Sequence, residues 1–193
     1  MQFLFSLPPC GNKHLTSVSS GAALTKERCL HLINSANADQ WSRAETEDFA
    51  LNNRRVVRQQ SLRYELLTEY ADLFYAISQI NGEYFRFEIV GISQADPVQL
   101  LRYEAADLGH YDWHVDIGEK NSTRKLSFSL QLSDPEDYDG GDLQFLPDHQ
   151  EARTMRTQGT LIVFPSYKTH RVTPVTRGVR YALVGWVHGM AYR

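Results

Sequence analysis

Seven histidines occur in this chain of 193 residues, and two of them stand where their spacing allows chemistry. His114-Val115-Asp116 places an imidazole and a carboxylate at i and i+2, on one face of an extended backbone. His170 opens a later strand segment, after Pro165-Ser166-Tyr167-Lys168-Thr169. Two imidazoles and one carboxylate from separate strands can cap one face of an octahedral metal and leave the opposite face for exchangeable ligands. Non-haem Fe(II) centres that handle oxygen are built this way. Zinc or manganese can use the same donors, in a hydrolase or isomerase on a cupin-like barrel. Arg180 lies ten residues beyond His170, across the turn Thr176-Arg177-Gly178, where an antiparallel return strand brings it back toward the metal. A buried arginine is costly without an anionic partner. A dicarboxylic co-substrate that chelates the metal at one end and pairs with Arg180 at the other supplies one. A hydrolase leaves Arg180 idle; a non-catalytic metal-binding or interaction module that keeps the fold is the other alternative, against which the intact ligand set argues.

These residues need strands to hold them, and the hydrophobic pattern supplies strands. Leu126-Phe128-Leu130-Leu132 alternates with period two. Phe85-Phe87-Ile89, Leu100 to Tyr103, Leu143 to Leu146, Thr160 to Phe164 and Arg180 to Val187 read as further short strands. Turn chemistry separates them at Asp96-Pro97, Asp134-Pro135, Asp139-Gly140-Gly141, Gln158-Gly159 and Arg177-Gly178. The front half reads as helical. Thr25 caps a first helix with Cys29, Leu32 and Ile33 on its apolar stripe. Leu62, Leu66, Leu67, Tyr70, Leu73, Phe74 and Ile77 mark a second, ended by Asn81-Gly82. Two helices followed by about eight short strands predict an α+β fold. The strands are expected to form a sandwich or a jelly-roll barrel. We expect one domain over 1–193: an extension over 1–24, a helical part over 25–82, and the core that carries the site over 83–193.

Composition narrows the classes further. With 42% hydrophobic and 22% charged residues the chain can bury an ordinary globular core, which excludes disorder and coiled coil. Twenty basic residues against 23 acidic ones give no pull toward polyanions, so no nucleic acid is expected as a partner. Cys10 and Cys29 form neither a CxxC pair nor a disulfide framework, which fits a reducing, cytoplasmic location. The apolar start Met1 to Leu7 has no basic residue before it and meets Pro8-Pro9. No stretch approaches the roughly 18 apolar residues of a membrane span. His14, His31, His110, His149 and His188 are expected to be surface or hydrogen-bonded histidines. Asp134, Asp137, Asp139 and Asp142 lack calcium-loop spacing and read as a solvated turn. Arg54, Arg55 and Arg58 make the one basic cluster, either a solvated face or a greeting for an anionic substrate group.

Tyr111-Asp112-Trp113-His114-Val115-Asp116, Leu126 to Pro135, Tyr138-Asp139-Gly140-Gly141-Asp142-Leu143 and His170 to Arg180 occur in this order. Together they make Tyr103 to Gly189 resemble the prolyl 4-hydroxylase-like branch of the Fe(II)/2-oxoglutarate-dependent oxygenases, PKHD-type hydroxylases in particular. Asn52-Asn53 is a fainter echo. The core that this resemblance implies is a double-stranded β-helix of jelly-roll, cupin-like type, with the N-terminal helices packed on one sheet. The resemblance implies His114, Asp116 and His170 as iron ligands and Arg180 as the anchor of the 2-oxoglutarate C5 carboxylate. It further implies Tyr103 and Gln131 as co-substrate contacts, and Tyr111, Arg124 and Trp186 as substrate contacts. Fe(II), 2-oxoglutarate and O2 are the implied cofactors, with ascorbate as reductant. The implied reaction hydroxylates an unactivated C–H of a prolyl residue, amino acid, peptide or other small molecule and releases succinate and CO2. Desaturation or cyclisation is the alternative outcome of the same chemistry.

Overall fold

The structure is a computed structural model that describes residues 18–44, 54–146 and 153–192; Cys10, His14, Asn52, Asn53 and His149 lie outside them. In chain order it contains β1 (Val18–Ala22), α1 (Lys26–Asn34), β2 (Ser42–Arg43), β3 (Arg55–Val56) and β4 (Arg58–Ser61). Then come α2 (Tyr64–Thr68), α3 (Ala71–Ile80), β5 (Ile89–Gly91), β6 (Gln99–Glu104), β7 (His110–His114) and β8 (Arg124–Gln131). The chain ends with β9 (Tyr138–Gly140), β10 (Leu143–Phe145), β11 (Thr160–Pro165), β12 (His170–Val172) and β13 (Val175–Gly189). The pairings are antiparallel throughout. One sheet runs β1-β11-β8-β13-β6-β4-β2, with β5 and β9 added to β13; the other runs β10-β12-β7-β3. This is the two-sheet layering of a jelly roll.

Period-two alternation sorts the side chains into two cores. Leu126, Phe128 and Leu130 of β8, with Leu161, Val163 and Leu183, share one buried cluster with Cys29 and Leu32 of α1 and Leu73 and Ile77 of α3. Leu101 and Tyr103 of β6 with Ile162 and Phe164 of β11 share another with Leu143, Phe145 and Val172 of the smaller sheet. That second cluster fills the space between the sheets. The opposite face of β8 also points there, and its Ser127, Ser129 and Gln131 are buried.

The N-terminal half departs from the helical reading. Thr25 does cap α1, its hydroxyl accepting from the Arg28 amide at 3.4 Å. The expected second helix breaks at Glu69-Tyr70 into α2 and α3. There the buried Tyr70 turns its hydroxyl onto the Arg28 carbonyl at 3.1 Å. Asn81-Gly82 does not end α3; the coil widens into a π turn over Asn81–Phe85 and stops at Arg86, which is left-handed at φ 55°. Asn81 then holds both the N–H and the C=O of Phe87, at 3.0 and 2.9 Å. Phe85-Phe87 therefore finds its backbone partners in a side chain rather than a sheet, and strand β5 starts only at Ile89. Strands also lie where helix was expected, β2, β3 and β4 having between two and four residues each. Their period-two signal is too short to stand out; register with β7 decides β3, register with β6 decides β4, and β2 pairs on β4. Ahead of α1, β1 pairs with β11. Among the described residues no helix is long and apolar enough to cross a membrane.

Candidate metal centre

His114 ends β7 and His170 begins β12, and the register of the two strands sets them directly opposite each other. Their ring centroids are 4.1 Å apart. Asp116 follows two residues on, its backbone N–H donating to the Ser166 carbonyl at 2.9 Å. Its carbonyl accepts from Arg124 at 3.1 Å. The carboxylate is thereby turned back so that Oδ1 lies 3.6 Å from His114 Nε2 and Oδ2 lies 3.6 Å from His170 Nε2. One donor atom from each of the three residues falls within 4.8 Å of the others, and no other such group occurs among the described residues.

The protonation pattern suits a cation. His114 Nδ1 faces the Asp112 carbonyl at 2.7 Å and His170 Nδ1 faces the Lys168 carbonyl at 2.9 Å. A carbonyl only accepts, so each Nδ1 carries the proton and each Nε2 lone pair points inward, the tautomer a metal-ligating histidine needs. Burial pushes the His170 imidazole down to about 4 against the pull of Asp116. Burial also disfavours charge on Asp116, but the neighbouring imidazoles and the Ser127 hydroxyl overcome it and hold the carboxyl well below its usual range. A neutral His170 and an ionised Asp116 are forms that bind a divalent ion without first losing a proton.

Arg180 lies on the same cavity and is 1% exposed. It faces Tyr103 across the β6–β13 pair, with its guanidinium carbon 5.2 Å from the ring centroid. One Nη donates to Gln131 Oε1 at 2.7 Å, while its buried Nε has no acceptor. Space for the side chain comes from Gly141, left-handed at φ +65°; a Cβ there would sit 2.8 Å from Arg180 Cδ. A buried cation with a neutral partner and an orphaned donor fits an incoming carboxylate.

Tyr111 stacks on His114 with centroids 3.5 Å apart and lines the cavity, as does Trp186. Arg124 is not free to reach into it. Its Nε and one Nη clasp Asp96 at 2.7 Å each, and its guanidinium carbon lies 3.5 Å from the Trp186 ring centroid. The sequence reading did not single out Ser127, whose hydroxyl donates to Asp116 Oδ2 at 2.6 Å. The signal was present in Ser127-Phe128-Ser129-Leu130-Gln131, where small polar residues alternate with apolar ones. Such a pattern reads as a solvent face unless both faces are buried. Among the histidines set aside, His110 bonds the Leu108 carbonyl, His188 bonds Thr123, and His31 lies 3.6 Å from Glu69. Asp134, Asp139 and Asp142 pair with Lys26, Arg177 and Arg156. A larger cavity of about 550 Å³ between α3 and β5 is lined by residues such as Leu67, Phe74, Ile77, Val90 and Val187, and offers no metal donor.

Comparison with known proteins agrees with this geometry. Residues 98–188 match the family model of the 2OG-Fe(II) oxygenase superfamily. A PKHD-type hydroxylase of Synechococcus sp. (strain JA-2-3B'a(2-13)) is 49% identical over 65 residues, 34% of this chain and 29% of the relative. One from Idiomarina loihiensis is 37% identical over 99 residues, 50% of this chain and 44% of the relative. The matched segments thus span less than half the length of these relatives. The viral collagen prolyl hydroxylase of Paramecium Bursaria Chlorella virus-1, solved as a 2OG complex, superimposes with a TM-score of 0.68 at 17% identity, over 90% of this chain and 96% of the other. At that identity the likeness concerns the fold. The matched segment carries His114, Asp116, His170 and Arg180 on the strands just described, and over residues 98–188 the chain is similar to the 2OG-Fe(II) oxygenase superfamily.

Proposed function

We propose that this chain is a hydroxylase that inserts oxygen at an unactivated C–H of a prolyl residue or amino-acid-like substrate and converts 2-oxoglutarate and O2 to succinate and CO2. The single observation that carries the reading is Arg180: a buried guanidinium with an orphaned Nε on the same cavity as the His-Asp-His donors. A zinc or manganese hydrolase has no use for it.

His114 Nε2, His170 Nε2 and one Asp116 oxygen would hold Fe(II), and Arg180 with Tyr103 and Gln131 would take the far carboxylate of 2-oxoglutarate. Bound iron supplies the activation of O2 that couples decarboxylation of the co-substrate to C–H hydroxylation. The chain's own part is placement. Ser127 keeps Asp116 turned toward the histidines. The Asp112 and Lys168 carbonyls keep both imidazoles in the ligating tautomer. Phe145 and Phe164, packed edge-on at 4.9 Å, wall off His170 and exclude water from that side. No general base is needed, and Cys29, which packs among apolar residues away from the site, takes no part.

The test is an anaerobic titration with Fe(II) and 2-oxoglutarate that follows the visible metal-to-ligand charge-transfer band. The band should vanish in His170→Ala and demand far more 2-oxoglutarate in Arg180→Ala. A wild-type protein loaded with iron that gives no band rejects the oxygenase reading.

A further inference from the structure

Arg180 is not the only guanidinium on the cavity. Arg55, on β3 at the edge of the smaller sheet, lines it as well. It pairs across the ladder with Tyr111 and lays its guanidinium carbon 4.9 Å from the Tyr111 ring centroid. Tyr111 in turn stacks on His114, so a single aromatic ring separates Arg55 from a metal-ligand candidate. One Nη of Arg55 donates to Gln59, a neutral partner, at 3.2 Å. Its Nε is buried without an acceptor, and no carboxylate pairs with it among the described residues. Arg54 and Arg58, its neighbours in the basic cluster, are spent elsewhere: Arg54 on the Trp113 carbonyl and Asp112, Arg58 on Glu104 and Asp107.

Charge counting separates the roles of the two arginines. The described cavity lining carries Arg55 and Arg180 against one carboxylate, Asp116. A divalent ion and a dianionic co-substrate leave that lining with one uncompensated positive charge. Arg180 is 1% exposed and bonded to Gln131, whereas Arg55 is partly exposed on an edge strand, the more accessible of the two to an incoming molecule.

From this we propose that Arg55 binds a carboxylate of the primary substrate, so that the molecule hydroxylated is a small free carboxylic acid, such as an amino acid, rather than an internal residue of a peptide. The inference rests on the oxygenase reading and adds the substrate class to it. A monoanionic carboxylate matches the single spare charge and the donor geometry of a guanidinium. An internal prolyl residue has only amides at that place and would leave the Arg55 Nε unpaired.

The experiment uses the whole chain loaded with zinc and labelled with 15N-arginine, and follows the side-chain Nε–H resonances. Those of Arg55 and Arg180 are identified by their loss in Arg55→Gln and Arg180→Gln. 2-Oxoglutarate alone should move the Arg180 signal; if it does not, the oxygenase reading fails whatever Arg55 does. With 2-oxoglutarate in place, acetate should move the Arg55 signal saturably and acetamide should not. On the Tyr111 amide, acetate affinity should fall roughly tenfold in Arg55→Gln, the loss of one charge-assisted hydrogen bond, and less in Arg55→Lys, which keeps the charge. Equal responses to acetate and acetamide overturn the proposal. So does an Arg55 signal that 2-oxoglutarate saturates and acetate cannot shift, which would assign this guanidinium to the co-substrate.

Discussion

Ser127→Ala isolates one hydrogen bond behind the metal centre. The hydroxyl sits 2.6 Å from Asp116 Oδ2 and 3.1 Å from Ser166 Oγ, with only 2% of the residue exposed, so water cannot take its place easily. A hydrogen bond to a charged acceptor contributes about 1.5–3 kcal/mol. Tenfold in affinity corresponds to about 1.4 kcal/mol. If the bond orients Asp116 for a metal, its loss weakens divalent-ion binding about 10- to 100-fold, the usual scale for a group that supports a ligand. It also raises the proton affinity of Asp116, which moves metal binding in the same direction. The assay is Zn(II) or Co(II) competition between metal-free protein and a chromophoric chelator, with His170→Ala as the reference for a lost ligand. Urea unfolding of the metal-free variant runs alongside. Metal affinity within about twofold of wild type, together with a clear loss of stability, would refute the reasoning and reduce the Ser127 bond to packing.

Gly141→Ala puts an L-residue at φ +65° and a methyl 2.8 Å from Arg180 Cδ, so it should cost about 1–2 kcal/mol of stability and at least tenfold in 2-oxoglutarate affinity. Calorimetry against Gly82→Ala, where nothing lies within 4 Å, checks it; equal behaviour of the two sinks the idea. Acid should weaken the metal-free fold: the unfolded His170 takes a proton near its ordinary 6.5, while the folded imidazole waits until about 4. Stability therefore falls as pH drops through that window, and Asp116 adds a further loss below it. Urea midpoints that stay level between those values would contradict this. Burial pushes the Cys29 thiol up to about 11, so iodoacetamide at mildly alkaline pH should label it in urea and spare it in the native chain. Peptide mass mapping decides, and native labelling is the adverse result.

The site was far more legible than the front of the fold, for physical reasons visible in single residues. His114, Asp116 and His170 had a spacing with chemical meaning, and the strand pattern needed to bring them together was long enough to see. Arg180 could be anticipated because a cation in an apolar strand demands a partner. Ser127 could not, because its importance depends on which face of β8 looks at the metal, and alternation alone is the same for either orientation. The break at Tyr70 and the π turn at Asn81 both depend on a hydrogen bond to a partner outside the helix itself. One depends on the Arg28 carbonyl, the other on a side chain that bonds a backbone six residues ahead. Arg124 was placed by resemblance at the substrate; its engagement with Asp96 depends on a loop nearly thirty residues earlier, a partner that no local spacing reveals.

β13 sets the order in which a newly made chain can assemble. It lies between β6 and β8 in the larger sheet and gathers β5 and β9 as well. Until it leaves the ribosome, β6 and β8 each keep an unpaired edge, a hazard for association with other chains and a reason for chaperone custody. Before β13 is made, His114, Asp116 and His170 have all been synthesised, but Arg180, which lies within β13, has not. During translation, therefore, the histidine and carboxylate donors precede the guanidinium, and the cavity acquires Arg180 only when β13 fills the gap between β6 and β8.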